Sequence, residues 1–274
     1  MELWFSEKHT PHLALTYRVR ETLYRARTDY QDLAVLDTYQ FGKTLVLDGI
    51  VQTTVKDEFI YHEMLVHPAM TTHPAPEKIL VIGGGDGGSV REVLKYPSVE
   101  KVVLAELDPQ VIEASRRFLP ELSSGLDHPK LDIALGDGKE FLKGAVGEFD
   151  VILVDSPDPI GAAEGLFSAD FYALVHKALK PEGVFAAQTE SPFIHGRLIS
   201  KIFKAVKGLF AETHLYLAHI PTYQHGMWSF TMGSKVHSPQ EGRTGKAPGG
   251  LRYYNSELHR GAFCLPTFVR ELTQ

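Results

Sequence analysis

Apolar and polar positions alternate in short runs through the first 60 residues of the chain. The runs LALTYRVRETLYRART, QDLAVLDT and KTLVLDGIVQTTV show this period of two, which is typical of half-buried β-strands. YQFG separates the second run from the third, and the Asp48-Gly49 pair inside the third run is a hairpin signal. We therefore predict a small antiparallel sheet of about five or six strands in this part of the chain.

The spacing then becomes helical. In the stretch KDEFIYHEMLVHPAM the apolar side chains recur at Phe59, Ile60, Met64, Leu65 and Met70, roughly the spacing of one helix face. The stretch THPAPEK that follows contains prolines, which interrupt regular structure. These patterns predict a helix followed by a boundary.

From residue 78 onward, continuous apolar runs alternate with helical ones. The predicted strands are KILVIGG, KVVLAELD, KLDIALGD, FDVILVDS and GVFAAQTE, followed by the closing pair ETHLYLAHIP and MWSFTMGSK. The predicted helices are SVREVLKY, DPQVIEASRRFLP with Asp108 as N-cap, GKEFLKG, SADFYALVHKALKPEG ended by its Pro-Glu-Gly, and HGRLISKIFKAVKGLF.

Such alternation is typical of an open, mostly parallel sheet that helices cover on both faces. We therefore assign the chain to the α/β class. Residues 1–60 form the predicted N-terminal β-sheet domain and residues 61–274 the larger domain. The Gly- and Pro-rich stretch HSPQEGRTGKAPGG is predicted to be an irregular excursion.

Composition narrows the function classes. The 274 residues are 43% hydrophobic and 23% charged, with a net charge of −6 and no long Lys/Arg run, which argues against nucleic acid or an anionic membrane as a partner. The lone Cys264 cannot form an internal disulfide, MELWFSEKHTP does not have the pattern of a signal peptide, and no stretch is apolar enough to span a membrane. We therefore expect a cytoplasmic protein.

The residues that follow the predicted strands are largely acidic. In open α/β sheets ligands bind beyond the carboxyl ends of the strands, so these residues are the candidates for a binding site. They are Gly83–Gly88, Glu106, Asp137–Gly138, Asp155–Asp158 and Gln188.

GGGDGG lies between a strand and a helix, and its Gly83, Gly85 and Gly88 fit the G-x-G-x-x-G pattern of nucleotide-type cofactor loops. Glu106 follows about 20 residues later, the distance expected for a carboxylate that accepts hydrogen bonds from ribose hydroxyls. A pyrophosphate on this helix N-terminus would be repelled by Asp86. The loop therefore favours a nucleoside without phosphate, such as S-adenosylmethionine or a derivative.

The other acidic residues have a functional and a structural interpretation. Asp137 could meet an adenine amino group or simply cap the next helix. Asp155 and Asp158 could hold a cation or perform acid–base chemistry, whereas Asp158 before Pro159 could also start a turn. Further ligands for a metal are not evident in this segment, so we predict no metal site.

These residues carry a resemblance to the spermidine synthase family of polyamine aminopropyltransferases over essentially the whole chain. The matching stretches are LWFSEK (3–8), LVLDGIVQTTVKDEFIYHEMLVH (45–67), VIGGGDGGSVREVLKY (81–96), ELDPQVIE (106–113), VDSPDPIGAAEGLF (154–167), AAQTESP (186–192) and IPTYQHGMWSF (220–230).

The resemblance implies a methyltransferase-like (Rossmann-like) domain below a small N-terminal β domain, with the polyamine synthase domain at about residues 5–238. It implies transfer of an aminopropyl group from decarboxylated S-adenosylmethionine, a co-substrate rather than a cofactor, to a diamine, with release of methylthioadenosine. It also implies a homodimer or homotetramer. Putrescine is the expected acceptor, with agmatine, aminopropylagmatine, cadaverine and spermidine as alternatives.

The resemblance also implies roles for individual residues. Asp155 is the expected base, and Asp86 would pair with the donor's ammonium group, which decarboxylation leaves without a neighbouring carboxylate. The expected amine and aminopropyl site contains Trp4, Tyr61, His62, Asp86, Asp158, Gln188 and Tyr223, and the expected nucleoside site contains Gln31, Gly83, Gly85, Glu106, Asp137, Gly138 and Ala162.

Ordinary structural roles are the alternative for several of these residues. Trp4, Tyr61 and Tyr223 could be core aromatics, and His62 could cap or pack. Ala162 stands where the family usually has a proline, which puts adenine packing by that side chain in question, while Pro157 could restore stiffness to the loop.

Two further functions fit the same fold. A methyltransferase that uses S-adenosylmethionine itself is disfavoured by Asp86 and by the Asp155/Asp158 pair. A non-catalytic polyamine-binding protein would keep Asp158 and the aromatic residues but would not need Asp155.

Overall fold

A computed structural model describes residues 2–159, 161–223, 225–242 and 244–274, and the side chains of residues 161, 162, 241 and 244 lie outside the description. The alternating first part of the chain forms a five-stranded sheet with strands in chain order, each antiparallel to the next. Its strands are β1 (Leu3–Thr10), β2 (Leu13–Arg27), β3 (Asp32–Thr38), β4 (Gly42–Leu47) and β5 (Ile50–Thr54). The predicted antiparallel sheet is confirmed.

The second part of the chain forms a seven-stranded, mostly parallel sheet. Its strands are β6 (Lys78–Gly83), β7 (Lys101–Glu106), β8 (Leu131–Leu135), β9 (Phe149–Asp155), β10 (Leu179–Gln188), β11 (Glu212–His219) and β12 (Met227–Ser234). The strand order is β11-β12-β10-β9-β6-β7-β8, and β12 runs antiparallel to both β10 and β11. The predicted α/β, Rossmann-like class is confirmed, including the closing pair.

The α-helices are α1 (Glu58–Thr72), α2 (Gly88–Val93), α3 (Pro109–Phe118), α4 (Pro120–Ser123), α5 (Gly138–Gly144), α6 (Ala169–Ala178), α7 (Gly196–Lys207), α8 (Ser256–Ala262) and α9 (Thr267–Glu271). Short 3-10 helices span Gly161–Phe167, Pro239–Glu241 and Thr244–Lys246. Over the described residues, none of the helices combines the length and the apolar character that a membrane crossing requires.

Both faces of the large sheet are covered, as continuous apolar strands require. Residues of α1, α2 and α8 pack with β6, β9 and β12 on one face, and residues of α5, α6 and α7 pack on the other. Of the 15 residues of α1, all but Phe59 are buried, because this helix lies between the sheet and the C-terminal segment.

The N-terminal sheet docks on the helices that follow β7. Leu33, Val35 and Leu45 of the sheet pack with Val111 and Ala114 of α3. The predicted cap of α3 is confirmed, since the Asp108 side chain accepts a hydrogen bond from the backbone N–H of Gln110. This docking brings the N-terminal sheet over the carboxyl edge of the large sheet.

Three parts of the secondary structure differ from expectation, and the first is α4 (Pro120–Ser123), where no separate helix was predicted. Helix α6 ends at Ala178, and β10 begins at Leu179, so the Pro-Glu-Gly that was predicted to end the helix lies inside the strand segment. Helices α8 and α9 follow the polar excursion, where the sequence pattern predicted no element.

A buried carboxylate holds the C-terminal segment in place. Glu63 of α1 accepts hydrogen bonds from the backbone N–H groups of Arg252 (2.9 Å), Tyr253 (2.8 Å) and Tyr254 (2.8 Å). Three donors satisfy this charge away from water.

Candidate active site

A cavity of about 270 Å³ opens at the carboxyl edge of the large sheet, beneath the N-terminal sheet. Most of the predicted site residues line it, namely Gln31, Tyr61, His62, Gly83, Gly85, Asp86, Glu106, Asp137, Gly138, Asp155, Asp158 and Tyr223. A narrower cavity of about 30 Å³ adjoins it and shares Tyr61, Asp158 and Tyr223, and Gln188 lines this second space. The sequence therefore identified residues that the fold brings together from across the chain.

The glycine loop lies directly against the end of β9. A Cβ on Gly83 would lie 2.2 Å from the backbone oxygen of Asp155, and φ at Gly83 is +75°. A Cβ on Gly84 would lie 2.6 Å from Oδ2 of Asp155, and one on Gly85 would lie 2.9 Å from Oε2 of Glu106. Glycine is therefore required here for backbone geometry and for space.

Glu106 ends β7 next to this loop. Its carboxylate accepts hydrogen bonds from the backbone N–H groups of Gly85 (3.0 Å) and Asp108 (2.9 Å). Burial, together with the charges of Asp108 and Asp155, raises the pKa of Glu106 to about 7. Gln31 reaches the same region, where its Nε2 donates to Asp108 Oδ2 at 2.9 Å.

Asp137 has both of its predicted roles available. Its Oδ1 accepts from the backbone N–H groups of Lys139 (2.7 Å) and Glu140 (3.3 Å), so it caps α5. It also lines the large cavity, as does Gly138. A Cβ on Gly138 would lie 2.3 Å from Ile82 Cγ2, which explains why this turn needs a glycine.

Asp155 is the last residue of β9 and is buried beside two hydroxyl groups. Oδ1 accepts a hydrogen bond from Tyr61 Oη at 2.7 Å, and Oδ2 accepts one from Ser89 Oγ at 2.7 Å. Burial, and then the charge of Asp86, raise the pKa of Asp155 above its ordinary value. Raising the pKa of a carboxylate makes it a stronger base.

Asp86 and His62 form a buried ion pair at the cavity wall. His62 Nε2 lies 3.5 Å from Asp86 Oδ1, and His62 Nδ1 lies 2.6 Å from Glu58 Oε2. Burial opposes protonation of His62, but the carboxylates on either side raise its pKa well above the ordinary value. His62 in turn overcomes the effect of burial on Asp86 and lowers the pKa of that carboxyl group.

The narrow cavity is more acidic than the sequence indicated. Glu7 of β1 lines it together with Asp158, and Glu190 lies next to Asp158 with an Oε2 that has no hydrogen-bond partner within the described residues. Burial raises the pKa of Glu7 and of Asp158, and burial and the charge of Asp158 raise that of Glu190 well above its usual value.

Sequence reasoning missed both glutamates. Glu190 lies just beyond β10 and two positions after Gln188, but its φ of +74° takes the backbone out of the extended conformation, so the period of two could not have identified it. Glu7 lies in an ordinary alternating strand, and no local pattern marks it.

Two of the three aromatic residues predicted for the site, Tyr61 and Tyr223, lie at the cavities. Tyr61 and Tyr223 pack against each other with ring centroids 5.6 Å apart, and Tyr223 Oη donates to the backbone oxygen of Gln52 at 2.6 Å. They are core aromatics that also line both cavities.

Trp4 is not in the site of this chain, and the expectation that it forms an apolar wall is wrong for the structure described. It is 51% exposed, its Nε1 donates to Glu2 Oε2 at 3.3 Å, and it lines neither cavity. Trp4 and Glu7 are an odd number of positions apart on one strand, so they point to opposite faces. The Ala162 side chain lies outside the described residues.

Within the described ranges, no three or more His, Cys, Asp or Glu side chains are grouped in a way that could hold a metal ion.

Family models match nearly all of the region around these cavities. The model described as a spermine/spermidine synthase domain matches residues 58–241, and the one described as a spermidine synthase tetramerisation domain matches residues 3–55.

Curated relatives are similar over the full length. The chain is 52% identical over 273 residues to a polyamine aminopropyltransferase of Thermoanaerobacter sp. (strain X514), with 99% of each chain covered. It is 53% identical over 275 residues to one of Caldicellulosiruptor saccharolyticus, with 100% of this chain and 99% of that one covered.

Solved structures agree. A crystal structure of spermidine synthase in complex with the transition-state analogue AdoDATO has a TM-score of 0.96 at 41% identity, covering 99% of this chain and 94% of that chain. Spermidine synthase from Thermotoga maritima has a TM-score of 0.95 at 41% identity, with the same coverage.

The glycine loop gives a direct prediction about stability. Gly83→Ala should lower the free energy of unfolding by at least about 3 kcal/mol, because its Cβ would overlap the Asp155 backbone. Gly49→Ala is the matched control, since Gly49 has φ +81° but no atom within 4 Å of a new Cβ, and it should cost only about 1–2 kcal/mol. Urea denaturation followed by circular dichroism measures both, and equal losses would contradict the close-approach explanation.

Proposed function

The chain belongs to the spermine/spermidine synthase family and is an aminopropyltransferase, and from this premise we propose its substrates and mechanism. The proposed donor is decarboxylated S-adenosylmethionine and the proposed acceptor is putrescine, which give spermidine and methylthioadenosine. The observation that carries this proposal is Asp155, a buried carboxylate on the wall of a nucleoside-sized cavity that adjoins a narrow acidic one.

The large cavity suits a nucleoside that brings a positive charge. Glu106 is available to accept from the ribose hydroxyls, Gln31 lies beside it, and Asp137 and Gly138 line the region proposed for adenine. Asp86 lies in the glycine loop, where a phosphate or carboxylate would be repelled and an ammonium group attracted. These groups favour a donor that has lost its carboxylate over S-adenosylmethionine itself.

The narrow cavity suits an unbranched diamine. Carboxyl groups of Glu7 and Asp158 line it, and Glu190 lies next to Asp158. Such a cluster favours a cationic amine, which would compensate charges that are buried away from water. Putrescine carries an ammonium group at each end of an unbranched chain, so one end can meet these carboxyl groups while the other approaches Asp155, and it is the acceptor that we propose.

The proposed chemistry is a displacement at carbon. A primary amine has a pKa of about 10 and must lose a proton before its lone pair can attack. The proton passes to the Asp155 carboxylate. Because the pKa of Asp155 is raised, the difference in pKa between the amine and this carboxyl group is smaller than usual. The nitrogen then bonds to the carbon beside the sulfonium, and the C–S bond breaks with its electron pair returning to sulfur. No cofactor or metal takes part in this proposal.

Residues around Asp155 hold the reactants in line. Tyr61 and Ser89 donate to its two oxygens and so orient the carboxylate at the wall of the large cavity. Much of the rate enhancement in the proposed mechanism comes from this positioning. The match of residues 3–55 to a tetramerisation domain supports a homo-oligomer, for which a homotetramer is our proposal, with a homodimer as the alternative.

Product analysis tests the reaction. The protein is incubated with either decarboxylated or intact S-adenosylmethionine and a panel of amines, and mass spectrometry measures methylthioadenosine. We expect methylthioadenosine with the decarboxylated donor and putrescine, and little with intact S-adenosylmethionine. Absence of methylthioadenosine with every amine would refute the proposal, and faster release with another amine would change only the acceptor.

Asp155→Asn should lower kcat by about 10²–10⁴-fold, because an amide cannot take the amine proton. Methylthioadenosine affinity, measured by calorimetry, should stay within about threefold, since the amide oxygen can still accept from one hydroxyl. Asp150→Asn is the control on the same strand, because Asp150 pairs with Lys180 far from the cavities. Loss of nucleoside binding in Asp155→Asn would show that Asp155 is structural.

The raised pKa of Glu106 predicts a pH dependence of nucleoside binding. Ribose hydroxyls donate to the ionised carboxylate, so below the pKa of about 7 the group must first lose a proton. Methylthioadenosine affinity should therefore fall as the pH drops below this value, by up to about tenfold per unit. Calorimetry in buffers of different ionisation enthalpy should show that methylthioadenosine binding releases a proton. The Glu106→Gln substitution should abolish this proton release. A wild-type affinity that is flat from pH 5.5 to 8 would contradict the assignment.

A further inference from the structure

Charges of alternating sign run from the cavity wall into the protein. Asp86 Oδ1 lies 3.5 Å from His62 Nε2, and His62 Nδ1 lies 2.6 Å from Glu58 Oε2. Behind them, Arg91 donates to Glu58 through two nitrogens, from Nη1 to Oε1 at 3.0 Å and from Nη2 to Oε2 at 2.8 Å, an arrangement called here the clamp. Arg91 also pairs with Glu92 at 2.9 Å. Only Asp86 and His62 of this series line the cavity.

The His62 ring has a carboxylate at each nitrogen. A neutral imidazole has one nitrogen without a proton, and that nitrogen would face a carboxylate oxygen with no hydrogen between them. With both carboxylates ionised, the arrangement is therefore satisfied by the doubly protonated ring. The ring is also sterically fixed, because it lies over Gly88, where a Cβ would come within 2.2 Å of His62 Cε1.

Glu58 is well placed to hold this ring. It is the first residue of α1, where the helix dipole favours a negative charge. Arg91 lies in the last turn of α2 and also donates to the backbone oxygen of Glu121 at 2.9 Å. The Glu58–Arg91 pair thus ties α1 to α2, the helix that begins at the glycine loop.

We propose that Glu58, clamped by Arg91, is a positioning residue for aminopropyl transfer: it fixes the protonated His62 ring and thereby holds the Asp86 carboxylate at the cavity wall. This role rests on the proposed function, in which Asp86 receives the ammonium group of the donor. Without Glu58, His62 would have one carboxylate partner in place of two. The ring would then lose its proton at a lower pH. Asp86 would keep the backbone N–H of Gly88, which donates to Oδ1 at 2.7 Å, but it would lose the ion pair that draws its carboxylate toward His62.

All titratable groups that face His62 enter this balance. Glu58 and Tyr61 come from α1, Asp86 from the glycine loop and Asp155 from the end of β9. The Tyr61 ring packs edge-on against the His62 ring, with 5.3 Å between the ring centroids. Asp155 adds a negative charge, and the positive charge of His62 counteracts part of the rise in the pKa of Asp155. Arg91 faces Glu58 rather than the ring, so Glu58 is the group whose removal changes the charge on His62 without entering the cavity.

The test is Glu58→Gln, which keeps a hydrogen-bond acceptor for Nδ1 and removes the charge. At each pH from 6 to 9, KM of the variant is divided by KM of the wild type. Titration of the substrates affects both values equally and therefore cancels in this KM ratio. We expect KM for decarboxylated S-adenosylmethionine to approach the wild-type value at pH 6 and to exceed it by about 10-fold or more at pH 9. KM for putrescine and the affinity for methylthioadenosine, which has no ammonium group, should change by less than about threefold at either pH.

Glu63→Gln is the matched control. Glu63 is also buried on α1, but it binds the backbone of residues 252–254 and not His62. The Glu63→Gln variant should be less stable than the wild type, but its ratio of variant to wild-type donor KM should not change with pH. Glu58→Asp keeps the charge and should restore most of the donor KM. If Glu58→Gln does not fold, Arg91→Gln, which leaves Glu58 charged but unclamped, should raise the donor KM at every pH while His62 stays doubly protonated, and an unchanged donor KM in this variant would contradict the role of the clamp.

A second measurement does not depend on turnover. Nitrogen-15 NMR of histidine-labelled protein should show His62 doubly protonated at pH 8 in the wild type and neutral in Glu58→Gln. A neutral wild-type His62, or a Glu58→Gln ratio as flat as that of Glu63→Gln, would overturn the inference. A wild-type protein that releases no methylthioadenosine would refute the proposed function instead, and the spectrum alone would then decide whether Glu58 holds the charge on His62.

Discussion

The register between β6 and β9 is the constraint on which the site depends. Parallel pairing places Gly83 directly beside Asp155, so the first residue of the glycine loop and the last residue of β9 share one position at the edge of the sheet. Because Gly83 and Gly84 have no side chains, the loop can lie against both the backbone and the carboxylate of Asp155. Ser89, at the start of α2, is thereby brought to the same carboxylate. The large cavity and the proposed base are thus positioned by one backbone contact and cannot be moved independently.

Electrostatics explains why this edge of the sheet can be so acidic. Each buried carboxylate has a specific compensation: hydroxyl groups at Asp155, backbone N–H groups at Glu106, and the His62 ring at Asp86. The compensation is incomplete near Glu190, whose Oε2 has no hydrogen-bond partner among the described residues. Burial and the charge of Asp158 raise the pKa of this carboxyl group well above its usual value, so the protonated form is favoured over an uncompensated charge. In the proposed function a cationic ligand favours the ionised form, so ligand binding and the ionisation of Glu190 are coupled.

Much of this arrangement could be predicted from the sequence, because local patterns reflect it directly. Continuous apolar strands, the glycine loop and the acidic residues after β7, β8 and β9 identified the sheet edge and most of the cavity lining. Trp4 and Glu7 show where prediction fails. Both lie on β1, and only the docking of the N-terminal sheet determines which face of the strand meets the cavity. Helices α8 and α9 were missed because they are short and owe their burial to contacts with α1 and β11 rather than to a strong pattern of their own.

The anchoring of residues 252–254 by Glu63 also has a consequence for the order of folding during synthesis. The donors that satisfy this buried carboxylate lie 189 to 191 residues further along the chain. While the ribosome is still producing the intervening strands, these donors do not exist, so burial of α1 would leave the Glu63 charge unpaired. Complete burial of α1 therefore depends on the C-terminal segment.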